Sequence, residues 1–204
     1  MTERILNIVV ASDSNLIKFI DPCLTSIRKC GYEPIFYNLG GLDFGISFES
    51  NTSSKSLQKF PKKPFVILDA LSKLDDDQYL AWIDIDCIMQ YHVDNAIDNY
   101  DLAVTFRKSS LNSGVSFWKK TPNSINFLNE WCKISLEVNG DQNALNRICK
   151  IPNNSYINKT LDILDAKVKV LDCKTFNNFF FKRDQTSARI IHYKSKYRDR
   201  FPKG

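Results

Sequence analysis

Two short apolar runs constrain the fold of this chain more than any other feature. Ile5 to Ala11 (ILNIVVA) and Tyr79 to Ile83 (YLAWI) are almost unbroken by polar residues and rich in β-branched or aromatic side chains. A strand apolar at nearly every position must be covered on both faces, as in a parallel or mixed sheet with helices on each side. After the first run, Asp21-Pro22 reads as an N-cap followed by proline at the first helical position. The helix it opens is predicted to run to Cys30, where Gly31 stops it. Tyr32 to Leu39 reads as the next strand, ended by Gly40-Gly41. Together these make a βαβ unit and predict an α/β fold.

The same alternation continues. Gly40 to Lys63 is polar and rich in Ser, Asn and Lys. Loops beyond ~12–15 residues are commonly functional lids or disordered, so this segment is expected to be a mobile loop. Pro64 opens a predicted helix over 65–74, closed by Asp75-Asp76-Asp77. Further strands are predicted over 101–106, 115–118, 168–171 and 189–191. A helix opening at Thr121-Pro122 and running to Glu137 puts Phe127, Leu128, Trp131 and Ile134 on one face. Asp141 is expected to N-cap a short helix ending at Cys149. No internal repeat or second domain is visible. At 204 residues the chain matches one domain of ~100–200 residues, either the whole protein or one domain of a longer one.

Composition narrows the function classes. A 43% hydrophobic, 25% charged chain is an ordinary globular one, not a disordered tail or a fibre. The net charge of +5 suits an anionic small-molecule ligand. The best basic clusters, Lys59 to Lys63 and Lys194 to Arg200, are too sparse to predict a nucleic-acid partner. None of the six cysteines falls in a C-x-x-C pair. No signal peptide is visible, and no apolar stretch approaches the ~20 residues of a membrane span. The expectation is a cytoplasmic protein with free thiols and no integral membrane segment.

Four short motifs carry chemistry. Asp84-Ile85-Asp86 leaves the end of an apolar strand. In an extended segment, side chains at i and i+2 point the same way, so two carboxylates are expected to converge. Hard oxygen ligands suit Mg²⁺ or Mn²⁺, which commonly also take substrate phosphates. The carboxyl ends of strands in an open α/β sheet are where ligands bind. Asp is also common in turns, so the pair alone is weak evidence. It is followed by Asn112-Ser113-Gly114-Val115, then by Asp141-Gln142-Asn143-Ala144-Leu145-Asn146, and near the end by Ile190-Ile191-His192-Tyr193-Lys194.

In this order the motifs resemble those of the GT-A glycosyltransferases. They are most similar to the retaining type that includes glycogenin and the bacterial galactosyl- and glucosyltransferases. The resemblance runs from about Ile5 to Arg198. It implies a single Rossmann-like GT-A domain with a mixed, mostly parallel central sheet flanked by helices. It also implies a metal site of Asp84, Asp86 and His192, holding Mn²⁺ or Mg²⁺, with the imidazole favouring Mn²⁺. Ala11, Ser12 and Asp13 match the region that meets the nucleotide base and ribose, although Asp13 reads equally well as a cap. The Ile85 amide would reach the ribose. Asn112 and Ser113 match donor-sugar contacts, and Gly114 would allow close backbone approach. Asp141 and Gln142 match the pair beside the anomeric carbon. Lys62 or Lys63, with Lys63 taken as the candidate, would face the diphosphate. Of Lys194, Lys196 and Arg198, Lys196 is slightly favoured to neutralise the leaving group. Arg107 is a further cation near the donor, or a solvated one.

The implied reaction moves a hexose from a UDP-sugar, UDP-glucose or UDP-galactose first, to a carbohydrate or glycan hydroxyl, with retention. Inversion would instead require a carboxylate as general base. Two departures stand out. Ile85 replaces the small residue common between the two aspartates, and the chain is short after Asp141, where acceptor sites are often built. Two other classes remain open at this point: a non-catalytic nucleotide-sugar-binding module, and a metal-dependent nucleotidyltransferase.

Overall fold

The computed structural model describes residues 5–39, 46–47, 62–179 and 186–202, without the side chains of Ser14, Ile46, Ser47, Ser195 and Lys196. Most of the expected mobile loop, Gly40 to Lys63, therefore lies outside the described residues. The first half contains β1 (Leu6–Ser12), α1 (Ile20–Lys29), β2 (Pro34–Asn38), the two-residue β3 (Ile46–Ser47), α2 (Lys62–Ser72) and β4 (Tyr79–Ile83). The second half contains β5 (Cys87–Met89), β6 (Leu102–Arg107), β7 (Ser110–Lys119), α3 (Pro122–Val138), α4 (Asp141–Cys149), β8 (Thr160–Ile163), β9 (Ala166–Asp172), the one-turn α5 (Cys173–Phe176), β10 (Asn178–Phe179) and β11 (Ile190–His192).

Among the described residues the main sheet has eight strands in the order β3-β2-β1-β4-β7-β6-β9-β8. Only β7 and β8 run against the rest. A small sheet, β10-β11-β5, packs beside it. The expected mixed α/β architecture is thus present. The central strands are apolar because both faces are covered. In β1, Ile8 and Val10 face α1 and the small sheet, while Val9 and Ala11 face α2, α3 and α4. In β4, Ala81 and Ile83 take the first face and Leu80 and Trp82 the second. The period of two thus splits one run between two cores.

Several elements differ from expectation for physical reasons. A 3-10 turn, Ser14–Phe19, precedes α1, and Asp13 caps it by accepting a hydrogen bond from Asn15 N at 2.9 Å. Asp21 and Pro22 consequently sit inside the first turn of α1 instead of opening it. Asn112-Ser113-Gly114 lies within β7, which is longer than the predicted strand, beside a register shift between Val104 and Thr105. The strands β5, β8 and β10 are two to four residues long, too short to show a period. No helix among the described residues is long and apolar enough to cross a membrane.

Trp131 anchors the second core. It is fully buried, stacks on Trp118 with ring centroids 5.7 Å apart, and donates from Nε1 to the Asp141 carbonyl at 2.8 Å. Trp131→Ala is expected to cost about 3–5 kcal/mol, read from the shift in guanidinium unfolding midpoint. An unchanged midpoint would show that this ring does not anchor α3 and α4.

Candidate active site

The carboxyl end of β4 is the centre of the site. Asp84-Ile85-Asp86 is a tight turn closed by Cys87 N donating to Asp84 O at 3.0 Å. The two carboxylates therefore converge through a turn into β5, and not through an extended segment. Ile85 points away into the first core, 3% exposed. Its bulk consequently lies beneath the site.

Each carboxylate gives one oxygen to a protein cation. Asp84 Oδ1 meets Lys63 Nζ at 2.8 Å and accepts from Trp82 Nε1 at 2.8 Å. Asp86 Oδ2 takes both Nε and Nη2 of Arg198, each at 2.8 Å. The remaining oxygens face one imidazole nitrogen: Asp86 Oδ1 lies 3.1 Å and Asp84 Oδ2 4.0 Å from His192 Nε2. His192 is held there because β11 pairs with β5, opposite Cys87. Burial alone would raise the Asp86 carboxyl, but its contacts with His192 and Arg198 hold it below the usual carboxylate range.

Lys63 joins three elements. From α2 it reaches Asp84 after β4, Asp141 Oδ2 of α4 at 3.1 Å, and Ser113 of β7, donating to its carbonyl at 3.0 Å. Burial opposes its charge, yet the Asp141 and Asp84 carboxylates raise its pKa well above the ordinary lysine value. Asp141 also accepts from Ser113 Oγ at 2.6 Å. Burial would push Asp141 up, but the Lys63 charge and the Ser113 hydrogen bond outweigh it and lower it to about 2 from 3.8. The expected N-cap at Asp141 is corrected: Gly140 is the cap and Asp141 the first helical residue. Its carboxylate turns to Lys63 and Ser113.

A buried amide web backs the imidazole. Asn112 Oδ1 accepts from Gly114 N at 2.9 Å and from Asn177 Nδ2 at 2.6 Å, while Asn112 Nδ2 donates to Gln142 Oε1 at 3.1 Å. Asn177 Oδ1 lies 2.9 Å from His192 Nδ1. Gly114 is needed for close approach, since a Cβ there would sit 2.7 Å from His192 Cε1. Asn146 clamps α4 to β7 by accepting from Leu111 N at 2.8 Å and donating to Leu111 O at 3.1 Å.

The structure thus brings Lys63, Asp84, Asp86, Asn112, Ser113, Asp141, Gln142 and His192 together. Ala11, Ser12 and Asp13 lie at the carboxyl end of β1, the neighbour of β4; the side-chain bonds of Ser12 and Asp13 are local, with Ser12 Oγ donating to Asp13 O and Asp13 Oδ1 accepting from Asn15 N. The side chain of Lys196 lies outside the described residues. Among the late basic side chains that the structure describes, Arg198 meets Asp86. Arg107 stacks over Phe179 at 3.6 Å. Asn177 and Trp82 were not found from sequence. Trp82 stood two residues before Asp84, but Asn177 carried no signal at all.

Comparison with known proteins bears on the family and the fold. A family profile described as nucleotide-diphospho-sugar transferase matches residues 63–199. A glycosyltransferase involved in glycosylation of the major capsid of PBCV-1 superposes with a TM-score of 0.63 at 14% identity, over 96% of this chain and 97% of that one. The glycosyltransferase GlyE of Streptococcus pneumoniae gives 0.61 at 14% identity, over 95% of this chain but 56% of its own. The galactosyltransferase LgtC, crystallised with donor and acceptor sugar analogues, gives 0.52 at 15% identity, over 93% and 87%. These likenesses show the GT-A fold. No curated protein matches the chain by sequence.

Replacing Lys63 by Met would leave two carboxylates unpaired and is expected to cost roughly 3–5 kcal/mol at neutral pH. The wild type should lose stability as pH falls from 3.8 toward about 2, because the unfolded chain takes up the Asp141 proton first. In Lys63→Met the Asp141 share of that loss should vanish, while the share from Asp86, held low by His192 and Arg198, should remain. Denaturant titrations across this pH range check it, and parallel curves for both proteins would refute the pairing.

Proposed function

Because the chain belongs to the nucleotide-diphospho-sugar transferase family and is a glycosyltransferase, we propose that it moves a hexose from a UDP-sugar to a hydroxyl of a carbohydrate or glycan acceptor, with retention and with a divalent cation. UDP-glucose or UDP-galactose is the donor we favour. The observation that carries the reading is the convergence of two carboxylate oxygens on His192 Nε2.

The residues fit such a cation. Asp86 Oδ1 and Asp84 Oδ2 lie 3.1 and 4.0 Å from His192 Nε2, hard oxygen donors beside an imidazole that would suit a divalent cation. Two oxygens with one imidazole suit Mn²⁺ better than Mg²⁺. Among the described residues, the group whose ligand atoms all lie within 4.8 Å of one another is Asp86, Cys87 and His192, with Asp84 outside it. Burial, and then the charges of Asp86 and Asp84, push the Cys87 thiol well above the ordinary value, so the oxygen-and-imidazole set is the better match. When bound, the cation would supply Lewis-acid stabilisation of the leaving diphosphate.

The chain's own residues do the rest. Asp84, Asp86 and His192 would hold the cation. The Lys63 ammonium has three hydrogens and faces Asp84, Asp141 and Ser113, which supports a role in orienting the acids over one on the diphosphate. Arg198, 40% exposed at the edge of the acid pair, is better placed to neutralise leaving-group charge. Ala11, Ser12, Asp13 and the Ile85 amide would meet the nucleoside. Asn112, Ser113, Asp141 and Gln142 would line the donor sugar. Asp141, lowered to about 2, is a poor general base near neutral pH, which supports retention over inversion. The six buried cysteines, none of them in a disulfide, support a reducing compartment, the cytoplasm.

A nucleotide-release assay over a panel of nucleotide sugars tests this. UDP release from one donor should require Mn²⁺, fall to the chelator level in Asp86→Ala, and name the sugar. Binding of UDP with Mn²⁺ but no release from any donor, even with glycan acceptors added, would leave a binding module. Release of a nucleoside monophosphate would indicate different chemistry.

A further inference from the structure

The amide web behind His192 determines which ring nitrogen carries the proton. Asparagine amides are ordinarily ambiguous by a flip. Here one backbone group resolves the whole chain. Gly114 N–H can only donate, so the Asn112 atom it meets at 2.9 Å is oxygen. That oxygen can only accept, so the Asn177 atom 2.6 Å away is nitrogen. The second hydrogen of Asn177 Nδ2 goes to Thr105 Oγ1 at 3.0 Å. The other Asn177 atom, 2.9 Å from His192 Nδ1, is therefore oxygen. An amide oxygen accepts only, so Nδ1 must carry a hydrogen. With Nδ1 committed to Asn177, Nε2 is the ring nitrogen left to face Asp86 Oδ1 and Asp84 Oδ2 and to be offered to a cation. Phe179 stacks on the ring at 5.2 Å and 22°, and Gly114 leaves the other contact open for it. Asn177 is fully buried, and both amide hydrogens and its oxygen are used.

We propose that Asn177 is a positioning residue that fixes the His192 tautomer and ring orientation so that Nε2 is offered to a divalent cation. This rests on the metal site proposed above. A ligating histidine that donates its second ring N–H to a fixed acceptor is both oriented and made a better donor, and loss of such an acceptor costs ~10–100-fold in metal affinity.

The test compares Mn²⁺ affinity, without nucleotide or sugar, in wild type, Asn177→Leu, Asn177→Asp and His192→Ala, using electron paramagnetic resonance of free Mn²⁺. It is paired with ring ¹⁵N spectra of the metal-free wild type where His192 is neutral. Both Asn177 variants disturb the hydrogen bonds to Asn112 and Thr105. Only Asn177→Asp keeps an oxygen for Nδ1–H. We expect Asn177→Leu to lose ~10–100-fold in affinity, Asn177→Asp to stay within a few-fold of wild type, and the wild-type ring to be protonated at Nδ1. Equal losses in the two variants, or no loss in Asn177→Leu while His192→Ala weakens binding, would overturn the inference and leave the metal site standing. Unchanged affinity in His192→Ala would overturn both. If Asn177→Leu does not fold, the wild-type spectrum decides, because an Nε2-protonated ring contradicts the proposal.

Discussion

The ammonium of Lys63 is the interaction on which the rest of the site depends. It is largely buried between Asp84 and Asp141 and also bonds Ser113. Four separate elements thereby meet at one charge: α2, the end of β4, β7 and α4. Burial opposes the charges of Lys63 and Asp141, and their pairing outweighs it. The pairing keeps Asp141 anionic and turns the Asp84 carboxylate so that its other oxygen faces His192. Arg198 does the same for Asp86 from outside.

The two halves of the site follow different physics. On the acid side, charges balance one another across the ends of strands. On the imidazole side, neutral amides form a buried network in which the Gly114 N–H fixes which amide atoms accept and which donate. Asn112 joins the halves, bonding Gln142 of α4 on one side and Asn177 on the other. The network is anchored to the backbone at Gly114, whose missing Cβ also makes room for the imidazole.

Much of the fold was legible in the sequence. The runs at Ile5 and Tyr79 predicted central strands because double burial leaves an uninterrupted apolar signature. Helix α3 was legible because Phe127, Leu128 and Trp131 repeat at helical spacing and Thr121-Pro122 marks its start. The misses share a cause. The strands β5, β8 and β10 are too short for any period. Asp21 looked like a cap, yet Asp13 holds a cap because a 3-10 turn intervenes. Asp141 looked like a cap and instead spends its carboxylate on Lys63 and Ser113, contacts that lie 78 and 28 positions away.

The sequence by itself determined the α/β class, the acid pair at the end of β4, and the order of motifs that resembles the GT-A glycosyltransferases. These are local patterns, written in residue type and spacing. Tertiary structure alone decided that Lys63 bridges two carboxylates, that Arg198 reaches Asp86, and that Asn177 faces His192. A charge partner or a hydrogen-bond acceptor is selected by distance in space after the sheet has assembled. No spacing along the chain encodes that choice, because β5 and β11 bring Asp86 and His192 within 3.1 Å across more than a hundred residues.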